Sequence, residues 1–77
     1  MANVPNLKAK DFLKYLIKYG CIETRTRGSH HQIIYPLKGT HSTISVHGSG
    51  DYGIIMFREV LKDLNIDKED FIKFINK

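Results

Sequence analysis

The sequence has one cysteine, Cys21, so it holds no internal disulfide and no cysteine-rich zinc cage. A lone thiol of this kind is expected as a small buried apolar residue. The first ten residues contain no apolar stretch of signal-peptide length, and no later run approaches a membrane span. The expected location is therefore the cytoplasm, with no membrane partner. A glycine-rich phosphate loop of the Walker type is missing, as are a paired-carboxylate motif and a Ser-His-Asp order. Acidic residues are also short in number, eight against twelve lysines and arginines, and the resulting net charge of +4 favours a polyanionic partner.

What is present is an ordinary globular composition, 42% hydrophobic and 26% charged, with no low-complexity run. A chain of 77 residues buries only about 60% of its unfolded surface, which is enough for one core and not two. One domain over residues 1–77 is expected, with 1–7 as a flexible N-terminus and 67–77 as an additional short helix.

From Ala9 to Tyr19 the apolar residues Ala9, Phe12, Leu13, Leu16 and Ile17 recur at helical spacing, and Gly20 suits the left-handed conformation that ends a helix. Cys21 to Arg27 and His30 to Tyr35 are rich in Ile, Thr and Tyr and are separated by Gly28-Ser29, a two-residue hairpin turn. A regular register then pairs Ile22 with Tyr35, Thr24 with Ile33 and Thr26 with His31 on one, mostly apolar side. The other side carries Glu23 with Ile34, Arg25 with Gln32 and Arg27 with His30. A slip of one residue would exchange the two faces.

Pro36 to His41 is a turn segment, and Ser42 to His47 alternates as a half-buried third strand. After the break at Gly48-Ser49-Gly50-Asp51, a second helix places Gly53, Met56, Phe57, Val60, Leu61 and Leu64 inward and ends near Asn65. Asp67 as N-cap, with Asp70 three residues on, opens the final helix that presents Phe71, Ile72 and Ile75. The order is helix, three strands, helix, short helix, and covering one sheet face with two helices gives a two-layer α+β fold.

Chemistry has to come from histidine, arginine and lysine. His30 and His31 follow a forced turn beside a basic face, whereas His41 and His47 read as ordinary strand or turn residues. Adjacent strand residues point to opposite faces, so His30 and His31 do not share one metal ion, and neither a metal nor a cofactor is expected. Imidazole titrates near neutrality and can take the proton of a ribose 2′-hydroxyl, whose oxygen then attacks the adjacent phosphorus. Arg25, Arg27 or the lysines of the first helix could offset charge on the phosphoryl oxygens. Lys10, Lys14 and Lys18 form a ridge at successive i+4 positions, which phosphate binding would explain as well as solvation does. Gly28 and Ser29 complete the candidate RNA contacts.

The block Gly20 to Pro36, GCIETRTRGSHHQIIYP, together with a strand ending in His and the helix pattern Arg58-x-Val60-Leu61-Lys62-x-Leu64, resembles the HicA toxin family. The block fits without a gap, and a looser likeness runs from about Lys8 to Ile66. The resemblance implies a fold like the double-stranded-RNA-binding domain, α-β-β-β-α, here with the extra C-terminal helix. It also implies an mRNA endonuclease (mRNA interferase) that arrests growth, and a HicB-type antitoxin that covers it, the toxin being a monomer alone and a hetero-oligomer with its antitoxin. The family's active histidine corresponds to His31, with His30 as a substrate contact or second proton carrier. Tyr35 stands where members often have His and Ser45 where they often have Pro. The loop Gly48 to Tyr52 and the helix from Lys68 also depart from the pattern, which bears on substrate preference and antitoxin contacts. A non-catalytic RNA-binding module of the same fold is the alternative.

Overall fold

The structure, a computed structural model, describes residues 7–46 and 53–76. Six elements follow in chain order: α1 (Ala9–Tyr19), β1 (Ile22–Arg27), β2 (His30–Tyr35), β3 (Thr40–Ser45), α2 (Ile54–Leu64) and α3 (Lys68–Ile75). The strands form one antiparallel sheet in the order β1-β2-β3. The protein is thus α+β with the layout of the double-stranded-RNA-binding fold plus a third helix. Of the expected flexible segment 1–7, only Leu7 lies within the described residues, and it packs against the core. His47 and the loop 48–52 lie outside them.

α1 buries Ala9, Phe12, Leu13 and Leu16 and stops at Gly20, whose φ of 134° is open only to glycine without strain. The N–H groups of Gly20 and Cys21 return to the Leu16 carbonyl at 3.2 and 2.9 Å, satisfying an end that would otherwise be orphaned. Ile17, expected on the buried stripe, is 44% exposed because its direction falls at the edge of the covered face. α2 buries Phe57, Val60, Leu61 and Leu64, but Met56 faces outward and Gly53 is the exposed N-cap residue, so the inner stripe is narrower than its apolar composition implied. Asp67 caps α3 by accepting a hydrogen bond from the Glu69 N–H at 2.9 Å.

The sheet contributes Ile33, Tyr35 and Ile44 to the core, and the helices bring Phe12, Phe57 and Phe71 into mutual contact, with ring centroids 4.8 to 5.9 Å apart. Each such side chain, removed from water, stabilises the fold by about 1.5–3 kcal/mol. β3 begins at Thr40, two residues before the expected start, because Pro36 to Gly39 alone make the turn. Its inward hydroxyls are used: Thr40 Oγ1 donates to the Leu64 carbonyl at 2.6 Å and Ser42 Oγ donates to Asp63 Oδ2 at 2.9 Å. These bonds tie the C-terminal turn of α2 to the sheet edge.

Candidate active site at the hairpin

The hairpin turns at Gly28, whose φ is 61°, and Ser29, whose carbonyl accepts from the Val46 N–H at 2.8 Å. Next to the turn the register is regular: Arg27 faces His30, Thr26 faces His31 and Arg25 faces Gln32. Beyond Arg25 it shifts. Glu23 pairs with Ile33 and Ile22 with Ile34, leaving Thr24 as an extra residue in a β-bulge. The expected pairs Ile22–Tyr35, Thr24–Ile33 and Glu23–Ile34 therefore do not form.

The bulge exchanges faces for one end of β1 only. Residues three apart in a regular strand lie on opposite faces, but one inserted residue brings Glu23 to the same face as Thr26 and His31. Ile22 is turned outward in return and is 52% exposed. Glu23 Oε2 then lies 2.7 Å from His31 Nδ1, and the Thr26 hydroxyl donates to the same carboxylate oxygen. Thr26 Oγ1 also stands 3.4 Å from Nδ1. The hydrogen bonds from Thr26 and His31 hold the Glu23 carboxyl below its ordinary pKa, since both favour its ionised form. His31 is half-buried, with Ile44 of β3 opposite it, and among the described residues its Nε2 has no partner.

The sequence candidates are divided between two faces. His31 lies on the helix-covered side, whereas His30 lies with Arg27 and Arg25 on the open side, all three exposed. Lys10, Lys14 and Lys18 stand exposed on α1, away from its buried stripe. Gly28 and Ser29 join the faces at the tip. His41 pairs across from Ile34 on the open side, next to Gln32, Thr43 and Thr24 in a shallow groove. Cys21 is buried, and that burial pushes its thiol up to about 11. Among the described residues no group of three or more His, Cys, Asp or Glu side chains could hold a metal ion, and no helix is long and apolar enough to cross a membrane.

Glu23 is the site residue that sequence reasoning missed. Strict alternation sends it to the face opposite His31, and only the bulge reverses this. The available signal was the polar run Glu-Thr-Arg-Thr-Arg on a strand with little apolar content to fix its register.

A comparison with curated proteins found no match. The family model described as HicA toxin of bacterial toxin-antitoxin matches residues 9–66, which run from the start of α1 through the whole sheet to the end of α2. With three quarters of its length and all of the hairpin site inside that match, the chain belongs to the HicA toxin family of bacterial toxin–antitoxin systems.

Proposed function

We propose that the protein is a metal-independent endoribonuclease that cuts mRNA, with His31 as general base. The observation that carries this is the state of the His31 ring: half-buried at the hairpin, Nδ1 engaged by a carboxylate, Nε2 left without a protein partner among the described residues. Nε2 takes the proton of a ribose 2′-hydroxyl, and the freed oxygen attacks the neighbouring phosphorus. The P–O5′ bond breaks, the 5′-oxygen takes a proton from water, and the products are a 2′,3′-cyclic phosphate and a 5′-hydroxyl. Lys10, Lys14 and Lys18, with the turn residues Gly28 and Ser29, hold the RNA backbone. His30, on the far face with Arg25 and Arg27, serves as a substrate contact rather than as a second proton carrier. The toxin acts in the cytoplasm as a monomer and is silenced in a hetero-oligomer with a HicB-type antitoxin that covers this site.

The test is cleavage of a mixed-sequence RNA in EDTA. Wild-type protein should cut it and spare DNA of the same sequence, while His31→Ala, folded by circular dichroism, should lose about 10²- to 10⁴-fold, the contribution of a general base. Cleavage of the DNA, or a full rate in the variant, contradicts the mechanism. A non-catalytic RNA-binding module has one observation in its favour, the placement of Arg25 and Arg27 on the face opposite His31. RNA bound at low salt and recovered intact would support it.

A further inference from the structure

A carboxylate only accepts hydrogen bonds, so the 2.7 Å approach of Glu23 Oε2 to His31 Nδ1 requires the imidazole proton to lie on Nδ1. In neutral imidazole that leaves the Nε2 lone pair bare. The carboxylate is itself anchored, because Thr26, directly opposite His31 in the ladder, donates to the same oxygen. None of this would occur in a regular strand, where Glu23 belongs to the other face. The bulge at Thr24 disrupts the ladder of an edge strand and aims one acidic side chain at one ring nitrogen.

We propose that Glu23 is a positioning residue: it fixes the His31 tautomer and ring orientation that present Nε2 to the substrate, and the Thr24 bulge is the backbone device that brings it there. Glu23 has this role in catalysis only if His31 is the base, as proposed above. In strand β1 the polar groups facing the ring are Glu23 and Thr26, and β3 presents Ile44. Among the described residues Glu23 is thus the charged group in contact with the imidazole, and the ionised form favoured by its two hydrogen-bond donors is the one the role requires. An ion pair to a charged imidazole, with both ring nitrogens protonated, would add little stability and would select no tautomer. A fixed tautomer is therefore what separates positioning from surface decoration.

Two measurements test the proposal. Long-range ¹H–¹⁵N spectra of the unsubstituted protein in alkaline buffer should show His31 with Nδ1 protonated and Nε2 bare. In Glu23→Ala the signal should move toward the Nε2-protonated form. Cleavage of a mixed-sequence RNA by Glu23→Ala and Glu23→Gln should fall by at least about 10-fold and up to about 10⁴-fold, the loss when a catalytic imidazole is deprived of its orienting carboxylate, and the fall should lie in kcat with KM unchanged. Glu23→Asp should restore part of the rate. A wild-type ring protonated on Nε2 overturns the proposal without any substitution. So do wild-type rates in both Glu23→Ala and Glu23→Gln when His31→Ala is inactive. A fully active His31→Ala protein instead overturns the ribonuclease reading, and with it the catalytic role of Glu23, while the tautomer spectrum still reports whether the carboxylate holds the ring.

Discussion

Glu23 has a carboxyl pKa below its ordinary value because Thr26 and His31 donate to it in the folded protein, and in the unfolded chain both partners are gone. A depressed folded pKa means stability that is present above the unfolded value and is lost as pH falls through the folded one. Wild-type protein should therefore lose thermal stability more steeply than Glu23→Gln below about pH 4, where free glutamate protonates, and the two melting curves should draw together in acid. Parallel curves across that range would show that the carboxylate is not held. At this scale the sequence was partly legible. Cys21 was expected to be buried and is, because a small apolar residue after a helix stop has few other places to go. The turn singled out the pair His30-His31 and the family resemblance chose His31 from it, yet Glu23, the closest partner of His31, was assigned to the wrong face.

Elements that carry a strong hydrophobic period were the ones read best. α1, with its apolar residues at i, i+3, i+4 and i+7, runs from Ala9 to Tyr19 as expected, and the Gly28-Ser29 turn fixes the hairpin end nearest to it. β1 has no comparable constraint: Glu, Thr and Arg fill its middle, so no buried side chain enforces its alternation, and a bulge could enter unseen. The start of β3 was misjudged for a related reason, since Thr40 and Ser42 are polar in sequence but bond inward to α2. α3 lies beyond the family match, and yet Phe71 and Ile72 are fully or almost fully buried. This helix is part of the core rather than an appendage. Phe71→Ala should cost about 3–5 kcal/mol, a large share of the total stability of a small domain. Chemical denaturation checks this, and a loss below about 0.5 kcal/mol, the scale of a surface substitution, would place Phe71 outside the cooperative core.

For the molecule as a whole, an excess of cationic side chains is the term that governs capture of a polyanion. If the α1 ridge tracks an RNA backbone, replacing Lys10, Lys14 and Lys18 with alanine should lower affinity alike for all sequences. It should also flatten the dependence of log K on log salt by about 0.7 for each phosphate that the ridge no longer neutralises. A slope unchanged in that triple variant would assign the ridge to solvation. The net charge was legible from composition, and the fold class from the order of elements. The placement of Arg25, Arg27 and His30 on the open face was legible too, but that of Glu23 was not, because it depends on where the register of β1 breaks.

The most direct measurement is chemical identification of the ends left on cut RNA. Attack by a ribose oxygen freed by the His31 ring leaves a 2′,3′-cyclic phosphate on one fragment and a 5′-hydroxyl on the other, and the account predicts those ends from wild-type protein in EDTA. Fragments bearing a 3′-hydroxyl and a 5′-phosphate would mean that water, not the sugar, attacked phosphorus, and would contradict it.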